Sequence, residues 1–122
     1  FNLEMNCGGT MLFHHQTEPR TNQVHIASED IQQVEVASTL PQIVDPEIQE
    51  ETIWSVEYRI PFSVLAKYRD FPIPEKGTVW RANLYKCADA TSHPHWLTWA
   101  LIDLPAPDFH QPDFFGYLDF QD

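Results

Sequence analysis

The sequence predicts a mainly β, antiparallel sandwich with one short helix. Three observations carry this. Short stretches alternate apolar and polar side chains, the period-two signature of half-buried strands. Ten prolines and four glycines punctuate those stretches, as loops and turns require. No regular alternation of strand and helix is present, so a parallel α/β sheet is not expected. At 122 residues, the chain is long enough for one domain with a real core, and a single domain over residues 1–122 is the expectation.

Phe1-Asn2-Leu3-Glu4-Met5-Asn6-Cys7 opens the chain as a strand, with Phe1, Leu3, Met5 and Cys7 on one face. Asn2, Glu4 and Asn6 share the other face, which is either solvated exterior or the wall of a polar groove. Gly8-Gly9 supplies a turn, and Thr10 to His15 returns as the second arm of a hairpin. Residues 16–27 are polar and weakly patterned, a loop. Ser28-Glu29-Asp30-Ile31 can start a short helix, with Ser28 as N-cap and acids in the first turn.

Gln33 to Ser38 alternates again and reads as a strand. Pro41 to Glu51 is a loop. Ile53 to Ile60 is the clearest strand, with Trp54, Val56, Tyr58 and Ile60 facing one way, and Pro61 ends it. Phe62 to Arg69 suits a short helix, with Phe62 and Leu65 spaced for one face. Thr78 to Lys86 reads as one continuous strand. Trp96 to Leu101 reads as a buried strand, and Phe115 to Phe120 as a short terminal one.

Charge narrows the function. Eighteen acidic residues stand against seven basic, a net charge of −11. Nucleic acid and anionic membrane surfaces are poor partners for such a chain. No apolar run reaches the roughly 18 residues of a membrane span. Cys7 and Cys87 form no C-x-x-C pair, so a zinc knuckle or thioredoxin-type redox site is not expected; a disulfide is open if their strands are neighbours, and two free, mostly buried thiols are the favoured expectation.

The stretch with most promise lies near the end. Pro107-Asp108-Phe109-His110-Gln111-Pro112-Asp113 is a loop stiffened by two prolines, which fix φ and restrict the residue before them. Phe109 on that loop is either a plug over a core edge or a flat apolar platform for a ligand with a flat face of C–H groups, such as a sugar ring.

Other chemistries find less support. Nucleophile elbows, phosphate loops and H-E-x-x-H are absent. His14 and His15 are adjacent on a strand and point to opposite faces; His93 and His95 can share a face but have no third ligand by spacing. Glu4 with Asp108 can be nominated as a glycosidase pair, which needs roughly 5 to 9.5 Å between carboxylates, but so many acids always offer one. No cofactor is expected. Asp103, Asp108 and Asp113 are the oxygen ligands calcium would use, and their spacing matches no calcium loop.

Four segments in order carry a resemblance: Phe1 to Cys7; Trp54-Ser55-Val56-Glu57-Tyr58-Arg59-Ile60-Pro61-Phe62; Trp80 to Cys87; and the tail from Trp96 through Asp108-Phe109-His110, Pro112 and Phe115-Gly116. Together they resemble the C-terminal part of a family 9-like carbohydrate-binding module, an immunoglobulin-like or jelly-roll β-sandwich of secreted bacterial polysaccharide-utilising proteins. The resemblance implies a noncatalytic domain that grips a polysaccharide or oligosaccharide, often at a chain end, by aromatic stacking and polar rim contacts. It implies that Phe109 is the stacking aromatic, in a place where Trp is common. Glu4, Asn6, Asn83, Tyr85 and His110 are the matching polar candidates, and Trp99 matches a core position. A glycoside hydrolase in the same protein or pathway is the implied partner, and the implied location is extracellular, cell-surface or periplasmic. The family's N-terminal strands and opposing aromatic lie before Phe1, so the expectation is a sandwich incomplete at its N-terminus. Two alternatives stay open: a structural accessory domain packing against an enzyme, and a haem or redox-binding sandwich of the cytochrome-like ectodomain type using Met5 and a histidine.

Overall fold

The computed structural model describes residues 1–121. The fold is the predicted mainly β, antiparallel sandwich class, with two short helices in place of one. The chain divides into two compact units, Phe1–Pro72 and Ile73–Asp122.

In the first unit, β1 (Asn2–Met5) pairs with β2 (Met11–His15) as the predicted hairpin, with Asn2 opposite His14 and Met5 opposite Met11. Gly9 takes φ +85° in the turn, a conformation that costs glycine least. β3 (Val24–His25) adds a third strand through His14 and His15. Two residues are too few to show a period, so the sequence reads this segment as loop. β4 (Glu35–Ser38) pairs with β5 (Val56–Arg59), Val36 opposite Tyr58.

Helix α1 (Ser28–Ile31) begins one residue earlier than predicted. Ala27 is its N-cap, without a side-chain cap bond, and Ser28 is already helical. Helix α2 (Phe62–Ala66) follows Pro61 and buries Val64 and Leu65. The sequence placed Phe62 rather than Val64 on the buried face, yet Val64 is fully buried. Phe13, Ile26, Val34, Val64 and Leu65 form the core of this unit.

A polar clamp joins its two helices. Asp30, only 4 % exposed, accepts from Lys67 Nζ, from Tyr68 Oη at 2.8 Å and from Gln33 Nε2 at 3.1 Å. Tyr68 Oη in turn accepts from Ala27 N at 2.8 Å. The Lys67 bond first, then that of Tyr68, holds the Asp30 carboxyl below its usual range against the pull of desolvation.

In the second unit the expected strand from Thr78 to Lys86 is two strands. β6 (Val79–Ala82) pairs with β9 (Gly116–Asp119), and β7 (Tyr85–Ala88) pairs with β8 (His95–Thr98). Asn83 makes the break, because its side chain takes backbone partners that a continuous ladder would use. Its Nδ2 donates to Ala100 O at 2.9 Å, and its Oδ1 accepts from Ala100 N at 2.8 Å and Leu84 N at 3.0 Å. The strand at Trp96 is not buried as expected: Trp96 is 44 % exposed, and Leu97, Trp99 and Leu101 are exposed as well. Both cysteines are free; Cys7 is half-buried, but Cys87 is exposed rather than buried.

Candidate functional site

The site is built by the second unit. A segment leaves β8 at Trp99-Ala100, crosses Leu101 to Gln111 without regular structure, makes a 3₁₀ turn at Pro112–Phe114 and enters β9 at Gly116. Asp108 shapes its middle. Its Oδ1 accepts from His110 N at 3.1 Å and its Oδ2 from Gln111 Nε2 at 2.7 Å, a local bond typical of Asp in turns. The ring of Phe109 lies parallel to that of Tyr85, 4.4 Å between centroids and 10° between planes.

Phe109 also borders a cleft of about 160 Å³. Trp96, Ile102, Leu104 and Pro107 supply its apolar walls. Its polar side chains are Thr98 and Asp108, and the Thr98 hydroxyl already donates to Ala100 O. Small-molecule sites usually run to roughly 300 to 1,000 Å³, so this cleft suits contact with one face of a ligand. Asp108 is the one carboxylate among the side chains that line it.

Four of the six candidate residues stand in this unit, and they do different things. Phe109 borders the cleft. Tyr85 backs Phe109, and its hydroxyl is buried without a hydrogen bond of good geometry. Burial is the main reason the phenol is pushed up, with the Asp108 carboxylate adding to it and the nearby Asn83 amide opposing it. Asn83 is engaged with backbone. His110 is half-buried beside Asp108.

Glu4 and Asn6 belong to the first unit. The exposed Glu4 accepts from Asn2 Nδ2 at 2.8 Å, and Asn6 Oδ1 holds the hairpin turn by accepting from Gly8 N at 3.1 Å and Thr10 N at 2.8 Å.

Sequence reasoning missed Trp96 as a cleft residue. Its strand looked like core because Trp96, Leu97, Trp99 and Leu101 cluster; no signal in the sequence marks which of these faces a cleft. Trp99 packs instead on Gly116, where an added Cβ would lie 2.9 Å from its ring.

The family model of carbohydrate-binding family 9 matches residues 1–120. The chain belongs to carbohydrate-binding family 9. A solved structure of a candidate carbohydrate-binding protein from Bacteroides uniformis ATCC 8492 is similar to this family 9 chain at 30 % identity with a TM-score of 0.75. The match covers 98 % of this chain and 53 % of that one, so the family 9 chain spans about half the length of that neighbour. No curated protein matches it significantly. Among the described residues no helix is long and apolar enough to cross a membrane.

Proposed function

We propose that this family 9 chain is a noncatalytic sugar-binding domain, and that it stacks a sugar ring on Phe109 in the cleft shared with Trp96. The observation that carries the reading is the Phe109 ring itself. It lies parallel to Tyr85, and it lines the same cleft as the exposed Trp96. A pyranose has an apolar C–H face for such rings and hydroxyls for polar neighbours, the mixture that ligand sites display. His110 and Asp108 supply polar groups near Phe109. The family and the neighbouring structure support a saccharide partner. A chain end as the bound portion, a glycoside hydrolase as companion, and an extracellular, cell-surface or periplasmic location complete the proposal.

Binding rather than hydrolysis fits a cleft wall with one carboxylate, since glycosidases flank the scissile bond with two. The charge pattern adds a preference. Asp108 is the carboxylate that lines the cleft, so a uronate seated against it would meet like charge.

Each hydrogen bond to sugar contributes only about 0.5 to 1.5 kcal/mol net, so dissociation constants on the order of micromolar to millimolar are expected. Calorimetric titration against neutral and uronate-bearing oligosaccharides tests the reading. Phe109→Ala should abolish the binding heat and leave the circular dichroism unchanged, because Phe109 lies outside the buried core. Unchanged affinity in that variant would remove Phe109 from the site. The accessory-domain reading draws on exposed apolar side chains such as Ile53 and Leu101, 95 % and 79 % exposed. It predicts no response to any glycan from a well-folded protein.

A further inference from the structure

Three alternate residues, Arg81, Asn83 and Tyr85, each hold a different point of the segment that carries Phe109. Arg81 Nη2 donates to the carbonyls of Asp113 and Phe115, both at 2.9 Å, and its guanidinium lies 5.8 Å from the Tyr117 ring centroid. This fixes the segment where it turns into β9. Asn83 binds both backbone groups of Ala100 and so fixes the segment where it leaves β8. Tyr85 meets it midway, ring against ring, at Phe109. The side chains that the sequence offers to a ligand as Asn83 and Tyr85 are thus turned onto the Phe109 segment.

We infer that Arg81, Asn83 and Tyr85 are positioning residues that set the plane of Phe109 before a sugar arrives, with Tyr85 acting through its ring and not its hydroxyl. The inference rests on the reading of Phe109 as the sugar platform. Tyr85 covers one face of Phe109, which leaves the opposite face for the ligand. The Tyr85 hydroxyl has almost no exposed surface and no well-formed bond, so it has no route to a sugar hydroxyl. A platform locked in place also spares the ligand the cost of ordering it on binding.

The test compares Tyr85→Phe with Tyr85→Leu, and includes Arg81→Met and Phe109→Ala. Two readouts are taken: affinity for a glycan that the wild-type chain binds, and the NMR shifts of the Phe109 ring protons without glycan. Stacked on Tyr85, those protons feel its ring current. Tyr85→Phe should keep both the shifts and the affinity. Tyr85→Leu, which retains apolar bulk, should release the shifts and weaken binding by about fivefold, within the range one aromatic stack contributes. Arg81→Met sits at an exposed position, so it remains informative even where Tyr85→Leu folds poorly. It should broaden the Phe109 signals and weaken binding by a smaller factor.

Equal loss of affinity in Tyr85→Phe and Tyr85→Leu would make the hydroxyl a ligand contact and overturn the inference. Unmoved Phe109 signals in both Tyr85→Leu and Arg81→Met would overturn it as well. Normal binding by Phe109→Ala would instead overturn the platform reading, while the glycan-free shifts still report on whether Tyr85 holds Phe109.

Discussion

The two units of this chain are held by different forces. Phe1–Pro72 has a core of Phe13, Ile26, Val34, Val64 and Leu65, closed by the Asp30 clamp. In Ile73–Asp122, Ala88 is the one buried hydrophobic residue among those described. Each fully buried aliphatic or aromatic side chain contributes roughly 1.5 to 3 kcal/mol, against about 1 kcal/mol net for an average hydrogen bond. The first unit therefore relies on burial. The second relies on two strand pairs and on side chains that bond the backbone, namely Arg81, Asn83 and Asp108. Trp96 and Tyr117, two of its large aromatics, stand at the surface. A unit that spends few apolar side chains on its own interior has more of them to present.

The contrast can be broken from either side. The largest effect should come from Phe13→Ala, which empties the most enclosed aromatic position and should cost about 3 to 5 kcal/mol in urea unfolding. Amide hydrogen exchange should show the loss concentrated in β1 to β3. An equal loss of protection across β7 and β8 would mean that the two units unfold together. Next comes Asn83→Ala, which strands Ala100 N, Ala100 O and Leu84 N; about 2 kcal/mol is expected, with faster exchange at Leu84 and Ala100. Unchanged exchange there would show that water replaces the amide at little cost.

The smallest effect is a matter of pH. Lys67 and Tyr68 hold the Asp30 carboxyl low, so the folded state takes up that proton less readily than the unfolded chain does. The resulting stability is fully present above the ordinary carboxylate pKa and is lost as pH falls through the lowered folded-state value. Asp30→Asn should therefore differ most from the wild type near neutrality, and the two should converge in acid. A difference that stays constant down to strongly acidic pH would show that packing, not charge, is what Asp30 supplies.

Much of the fold was legible because period two is a direct consequence of strand geometry. The hairpin around Gly8-Gly9, the pairing-competent stretches at 35–38 and 56–59, and the closing strand all follow from it. Legibility failed where a side chain overrode the pattern. Thr78 to Lys86 puts Trp80, Ala82 and Leu84 on one face and so looks like one strand; the contacts of Asn83 with Ala100 divide it. Ser28 looks like a cap because Ser commonly is one, yet Ala27 occupies that position. Val24-His25 is a strand only because β2 lies beside it. At the site, the two prolines around Phe109 and its place in the closing motif made it stand out. Trp96 was hidden because a cluster such as Trp96, Leu97, Trp99 and Leu101 looks the same whether it faces a core or a cleft, and the stack of Tyr85 on Phe109 joins residues far apart in sequence.

The alternation of Arg81, Asn83 and Tyr85 has a consequence for how this chain tolerates change in length. Insertions in the exposed turn between β7 and β8, around Ala90 to Ser92, displace nothing that the Phe109 segment depends on. One residue added or removed between Arg81 and Tyr85 changes the spacing at which Arg81, Asn83 and Tyr85 meet that segment. Arg81 could then still grip one end of the segment only by giving up Tyr85 beneath its middle. Substitutions at these positions act one at a time, whereas a single-codon insertion or deletion there would undo the whole arrangement at once, so functional chains of this kind should vary in length on either side of this five-residue stretch and not within it.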